Sequence, residues 1–242
     1  MTVVAVIQAR MSSSRLPGKV LEALGDSSVL AWVVDAARGA RSVDRVVVAT
    51  SLDPSDDALA TAAADLGVDV ARGPLEDVLA RFVVALDAYP ADMVVRLTSD
   101  CPLLDPRVID TCVELLASDP SMDMATNVLD RTYPRGLDVE VMRADALRAS
   151  ARAAVAHHRA HVTSWMMAHR AEFSVGGVTS DLAAADLRVT VDTPEDLAVV
   201  RAVVDALGAR ASRADELVAY LRSRPDIVAL NAHVEQKPET SG

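Results

Sequence analysis

Val3-Val4-Ala5-Val6-Ile7 runs without interruption into Gln8-Ala9-Arg10-Met11-Ser12-Ser13-Ser14-Arg15-Leu16-Pro17-Gly18-Lys19. The apolar run reads as a strand buried on both faces, which is the signature of a parallel sheet. The residues that follow change character at once. Small hydroxyl side chains let the backbone turn tightly and present its N–H groups, and Arg10, Arg15 and Lys19 place positive charge around that turn. The chain carries a formal net charge of -11, so three cations clustered in one short loop call for an explanation. A strand-to-loop junction with N–H donors and fixed cations suits a polyphosphate. Pro17 and Gly18 shape the loop just where the cations sit, which distinguishes it from an ordinary solvated surface loop. It is not a Walker loop, because G-x-x-x-x-G-K-[ST] is missing and the single glycine directly precedes the lysine.

Outward from this junction, strand and helix patterns alternate. Strands are expected at Val43 to Thr50, Val68 to Ala71 and Met93 to Thr98. Helices are expected at Asp56 to Leu66, Glu76 to Ala88 and Pro106 to Ala117, the second with Val78, Leu79, Phe82, Val83 and Leu86 at helical spacing. Such alternation implies parallel pairing through right-handed crossovers. The expected fold is therefore α/β, a doubly wound, mostly parallel, Rossmann-like sheet. Ligands of such sheets bind at the carboxyl ends of strands. Arg10 and Asp100 both follow strands directly and so share that edge.

Beyond residue 120 the pattern loosens. Short strands are expected at Asp123 to Thr126, Leu137 to Met142, Phe173 to Val178 and Leu187 to Val191. A helical stretch from Ala144 to Arg170 is expected to break around His157 to His161. Thr193 suits an N-cap, Pro194 a first helical position and Gly208 a stop, with a further helix from Arg213 to Arg222. We read residues 1–230 as one domain, with 127–186 as an elaboration within it, and 231–242 as a flexible polar tail.

Composition narrows the possibilities. The chain has 242 residues, 51% hydrophobic and only 3% aromatic, so Val, Leu and Ala build the core. The acidic balance argues against a nucleic-acid surface but not against one focused basic pocket. Cys101 and Cys112 form no C-x-x-C pair and no zinc spacing, and read as reduced thiols in a cytoplasmic protein. No basic region precedes the first apolar run, as a signal peptide requires, and no apolar stretch is long enough to cross a membrane.

Two later motifs echo the first. Arg96-Leu97-Thr98-Ser99-Asp100-Cys101-Pro102-Leu103 puts a carboxylate at the end of a buried strand, placed equally well to hold a divalent metal or to cap the next turn. Arg188-Val189-Thr190-Val191-Asp192-Thr193-Pro194-Glu195-Asp196-Leu197 again ends a strand on aspartate, which by itself reads as a helix-start carboxylate. Arg72-Gly73-Pro74-Leu75-Glu76-Asp77-Val78-Leu79-Ala80-Arg81 follows the third strand, and Arg81 reads as an exposed helical charge or an i,i+4 partner of Asp77. His157, His158 and His161 lie close together, but no H-E-x-x-H pattern is present. Trp165, Met166 and Met167 read as packing.

Ala9, Arg10, Ser13, Arg15, Pro17 and Lys19 fill the pattern A-R-x-x-S-x-R-x-P-x-K, which resembles the signature of the sugar-acid cytidylyltransferases. The closest resemblance is to the SpsF-like spore-coat polysaccharide branch, related to CMP-Kdo synthetase and acylneuraminate cytidylyltransferase. Ser99-Asp100-Cys101-Pro102-Leu103 is similar to the family's G-D-x-P-L, with serine in place of glycine. Val191-Asp192-Thr193-Pro194-Glu195-Asp196-Leu197 is similar to its late motif. The resemblance implies a nucleotide-diphospho-sugar transferase-like fold and a Mg²⁺-dependent transfer of CMP from CTP to an anionic acceptor (a sugar acid, phosphate or phosphonate) with loss of pyrophosphate.

It further implies Ala9, Arg10, Met11, Ser12, Ser13, Arg15, Lys19, Arg72, Asp77 and Ser99 as nucleotide-binding, with Lys19, Arg10 and Arg15 neutralising the leaving phosphates. Asp100 and Asp192 become the metal pair, and Asn127, Arg131, Asp138, Glu140 and His161 the acceptor side. Arg131 and Arg135 suit a bidentate hold on an anion, and Pro134-Arg135-Gly136 alone reads equally well as a turn. An arginine at 135, where family members often have aspartate, bears on which acceptor is taken. A homodimer is implied, with the region after Asn127 as interface. Two rivals remain. A glycosyltransferase would usually show D-x-D, and Thr98-Ser99-Asp100 lacks its first aspartate. A non-catalytic nucleotide-binding module would be expected to lose the aspartates and Lys19, which are present.

Overall fold

Alternation along the first strand sets the architecture. In β1 (Val3–Gln8), Val3, Ala5 and Ile7 enter one hydrophobic cluster and Val4 and Val6 another, so both faces of the sheet are covered. The computed structural model describes residues 1–236. A two-stranded hairpin, β2 (Ala23–Leu24) and β3 (Ser27–Ser28), leads into α1 (Val29–Gly39). Then follow β4 (Arg45–Ser51), α2 (Asp57–Asp65), β5 (Asp69–Gly73), α3 (Val78–Ala88), β6 (Met93–Thr98), α4 (Pro106–Ser118), β7 (Met124–Thr126) and β8 (Glu140–Arg143). The chain ends with α5 (Ala144–Ala153), α6 (Ser164–Ala168), β9 (Val175–Gly177), α7 (Pro194–Leu207), α8 (Ala214–Ser223) and α9 (Pro225–Val228).

The seven-stranded sheet has the order β5-β4-β1-β6-β8-β7-β9. β4 and β6 flank β1, both parallel to it, and β8 is the antiparallel strand. The chain moves outward from β1 through β4 to β5, then returns across the sheet to β6. The switch point lies between β1 and β6, and it is beyond the carboxyl ends at such a point that doubly wound sheets bind their ligands. Helices α1, α2, α4, α7 and α8 cover one face, while α3, α5 and α6 cover the other. The expected α/β, mostly parallel fold is the one observed.

Local chemistry explains the helix ends. Thr193 caps α7: its side chain accepts from Asp196 N, and the Asp196 carboxylate accepts from the Thr193 N–H, closing a capping box. Asp105 and Asp77 cap α4 and α3 in the same way, each ahead of an apolar stripe. Phe82 of α3 is fully buried, and its truncation to alanine would cost about 3–5 kcal/mol.

The structure departs from the sequence reading in several places, among them the strand expected from Leu137, which begins only at Glu140, and the hairpin of β2 and β3, which was not expected. Helix α1 was not anticipated, although Ser28 accepts a hydrogen bond from Ala31 N and Val29, Leu30, Val33, Val34 and Ala37 form a buried stripe. Leu187 to Val191 joins no ladder. Arg135 N donates to Leu187 O and Val189 N to Arg135 O, while Val191 N donates to Asp100 O, so the segment bridges two loops instead. Only Val175–Gly177 of the stretch expected from Phe173 to Val178 pairs as a strand. Asn231, where a loose tail was expected to begin, is buried and donates to Asp196 Oδ1 and Arg188 O. The rest of that expectation, residues 237–242, lies outside the described residues.

Candidate active site

The cation-bearing loop is held from beneath by a carboxylate that the sequence reading had placed in a helix. Asp56 is completely buried and accepts from Met11 N (2.7 Å), Ser51 N, Thr50 Oγ1 and Ser51 Oγ. Burial pushes its carboxyl pKa up, but these four hydrogen bonds outweigh that and hold it below the usual value. The loop closes on itself where Ser13 N and Gly18 N both donate to Met11 O. Gly18 sits at φ +74, a left-handed conformation that glycine adopts without strain, and it turns the chain into a short 3₁₀ segment that begins with Lys19.

That turn delivers Lys19 to the switch point. Its Nζ donates to Val191 O (2.6 Å), Asp192 Oδ1 (2.8 Å) and Asp100 Oδ2 (2.9 Å). Three motifs far apart in sequence therefore meet at one ammonium. Burial lowers the Lys19 pKa, but the two carboxylates overcome this and raise it. For Asp100, burial acts upward, and Lys19 reverses it to hold the carboxyl below its usual value. The other oxygen of Asp192 takes Arg15 and Arg188, each at 2.9 Å. Two carboxylates that reach one ammonium converge on a common point. That donor set fits Mg²⁺, which takes one or two protein carboxylates and completes its shell with phosphate oxygens and water. Among the described residues no group of three or more His, Cys, Asp or Glu converges into an all-protein cage.

Behind Asp192 lies a support that the sequence reading missed. Asp196 is completely buried and binds Arg188 through Nε and Nη2, Asn231 Nδ2, and the N–H groups of Asp192 and Thr193. Burial raises its carboxyl pKa and the Arg188 bonds more than offset this. Asp196 thus fixes the backbone from which Asp192 projects.

On the first-loop side, Arg10 is exposed and Ser99 is buried beside β1, its N–H donating to Gln8 O. Arg72, expected at the nucleotide, has its guanidinium bound to Ser51 O, Asp53 O and Asp57 Oδ1. Asp77 caps α3 and pairs with Arg159 at 2.6 Å, not with Arg81. Arg81 is not exposed. It is 2% accessible, reaches the Ala9 and Leu75 carbonyls only at 3.5 Å, and leaves Nε without a partner. Burial and then the neighbouring Arg10 charge lower its pKa, yet a guanidinium stays charged. A buried cation therefore lies beneath the loop without an ion-pair partner among the described residues. The signal was present in α3, where position 81 falls at i+3 from Val78 and i−4 from Ala85, inside the buried stripe.

On the opposite side most nominated residues are engaged within the chain. Asn127 is completely buried, donating to Leu137 O and accepting from Val139 N, and so pins the 137–139 backbone. Glu140 is buried against Arg96 and Thr163 Oγ1. Arg131 and Asp138 form a two-point ion pair at 2.5 and 3.0 Å. In the histidine run, Thr163 makes the contact to Glu140, while His161 is half-buried beside it. Arg135 differs: it is half-buried and has no ion pair among the described residues. Burial, and then the Arg131 charge, depress its pKa. Its backbone is clamped by Leu187 and Val189. Gly136, at φ +108, packs so tightly that a Cβ would come within 2.4 Å of Thr190 N. Cys101 and Cys112 are free and buried.

A family model described as Cytidylyltransferase matches residues 4–225. The spore coat polysaccharide biosynthesis protein SpsF of Bacillus subtilis is 34% identical over 234 residues, covering 91% of this chain and 94% of that protein. A solved cytidylyltransferase from Leptospira borgpetersenii serovar Hardjo-bovis matches with a TM-score of 0.90 at 28% identity, over 98% of this chain and 99% of that one. The structure of CMP:2-keto-3-deoxy-manno-octonic acid synthetase complexed with CTP shares the fold, with a TM-score of 0.67 at 22% identity, over 85% and 99% of the two chains. The chain belongs to the cytidylyltransferase family and is a nucleotidyltransferase enzyme.

Proposed function

We propose, with membership of that family as the premise, that this enzyme transfers CMP from CTP to an anionic acceptor, a sugar acid or a small phosphate or phosphonate, and releases pyrophosphate. The observation that carries the reading is the convergence of Lys19, Arg15, Asp100 and Asp192 at the switch point of the sheet. An acceptor oxygen attacks the α-phosphorus in line. The new O–P bond forms as the bond to the β-phosphate oxygen breaks, and the electron pair leaves with pyrophosphate. Arg10, Arg15 and Lys19 neutralise the charge that builds on the β- and γ-phosphates. Such catalysis rests on positioning and charge stabilisation, with no covalent enzyme intermediate. Asp100 and Asp192 would hold Mg²⁺, which when bound neutralises charge at the transferred phosphate.

Arg135 supports an anionic acceptor, since it is a cation on a clamped backbone with no ion pair among the described residues. The sugar acid named for the CTP-bound synthetase makes that class the first to try. Homodimerisation through residues 127–186 and a cytoplasmic location belong to the same reading. The test is pyrophosphate release from purified protein with Mg²⁺ and each nucleoside triphosphate, across sugar acids, sugar phosphates and phosphonates. Acceptor-dependent release with CTP alone is the expected result. Release of a nucleoside diphosphate from a nucleotide sugar would overturn the reading in favour of a glycosyltransferase.

A further inference from the structure

Lys19 has no N–H left to give. An ammonium carries three donors, and Val191 O, Asp192 Oδ1 and Asp100 Oδ2 take one each at 2.6–2.9 Å. The transferase reading assigns Lys19 to the triphosphate and the two aspartates to a divalent ion. One point between two carboxylates cannot serve both cations: they repel at that range, and they compete for the same oxygens.

We propose that Lys19 is a placeholder cation at the metal site, its ammonium neutralising Asp100 and Asp192 until a divalent cation displaces it toward the β- and γ-phosphates. This deepens the transferase reading and rests on it. Residue choice supports the exchange. Of the 24 basic Lys and Arg residues only Lys19 and Lys237 are lysines. Everywhere else in the site the cation is arginine, whose planar fork locks onto its partner, whereas a lysine ammonium is a compact charge on a flexible stem. The scaffold does not depend on Lys19. Asp192 keeps Arg15 and Arg188 on its other oxygen, its backbone is tied to Asp196, and Val191 N holds Asp100 O. The carboxylates therefore stay in place when the ammonium leaves. Because the coupling is reciprocal, metal binding makes Lys19 available for phosphate, and phosphate capture of Lys19 opens the carboxylates to metal.

Two measurements on the full chain, without nucleotide or acceptor, test this. Free Mn²⁺ is titrated by electron paramagnetic resonance against the native protein, Lys19→Met, and Lys19→Met combined with Asp100→Asn. The single variant is expected to bind Mn²⁺ about tenfold more tightly than the native protein, and the double variant to lose that gain. Equal or weaker binding by a folded Lys19→Met overturns the proposal. Independently of any variant, the native protein is acylated at its amines and read by mass spectrometry, with Lys237 as internal reference. Labelling of Lys19 is expected to rise on addition of Mn²⁺, and unchanged labelling overturns the proposal. Exposure of Lys19 by Mn²⁺ in a protein that shows no transferase activity would sink the transferase reading alone. Turnover with unmoved labelling would sink only the exchange.

Discussion

On the first-loop side of the switch point Arg10 stands exposed and Arg81 is buried without an ion-pair partner among the described residues. On the other side Asn127, Arg131, Asp138 and Glu140 are all bonded within the chain. On the proposed reading the first loop receives a polyphosphate, which brings its own negative charge; Arg15 and Lys19 are paired with aspartates, while Arg10 and Arg81 are left without an ion pair among the described residues. The wall opposite has to hold two loops and an antiparallel strand in register, and its polar groups are consumed in doing so. Uncompensated charge, more than the presence of a polar residue, marks where a ligand belongs. By that measure Arg135 is the residue of the second side that resembles the first.

Substitutions should separate the two sides, with fold lost on one and binding on the other. Glu140→Ala strands Arg96 beside a buried gap and should destabilise the protein by about 3–5 kcal/mol in urea unfolding; a loss within experimental error would erase the contrast. Asp56→Ala leaves four donors unsatisfied and should cost about 3 kcal/mol. It would also loosen the first loop, so KM for CTP should rise with it. Arg10→Ala inverts the pattern: stability should stay within about 0.5 kcal/mol, while CTP binding by calorimetry weakens about tenfold, the loss of one charge-assisted contact. If Arg10→Ala unfolds the protein instead, the loop is scaffold like the wall.

The smallest effect is on pH dependence. Asp56, Asp100 and Asp196 are held below their usual value of 3.8, so their stabilisation is complete above that value and is lost as pH falls through the folded values. Lys19 is raised above 10.5, so its contribution is complete below that pH and lost as pH rises through the folded value. Urea-unfolding free energy should be level between these limits and fall outside them. Asp56→Asn should flatten the acid limb and leave the alkaline limb unchanged.

The core of the site was legible because its motifs sit at strand ends. The first loop follows β1 and Asp100 follows β6, parallel neighbours whose carboxyl ends share one edge, whereas Asp192 ends a segment that joins no ladder and reaches that edge through Lys19. Arg81 and Asp56 were legible only in part. Arg81 occupies a buried stripe position that its charge disguised, and Asp56 looks like any first-turn carboxylate until Met11 is seen above it. Arg72 and Asp77 carried the motif yet are engaged by Asp57 and Arg159.

What the sequence determined by itself is the part that depends on local periodicity: a parallel α/β sheet, its helix caps, and the edge where cations and aspartates gather. Burial repeats every two residues in a strand and about every 3.6 in a helix, so a short window reveals it. Which polar residues are left to meet a ligand was decided by tertiary structure. Glu140 found Arg96, Asn127 found the 137–139 backbone, and Arg135 found no ion pair among the described residues. Charge pairing is set by segments that approach only after the chain has folded, and a burial pattern carries no record of those meetings.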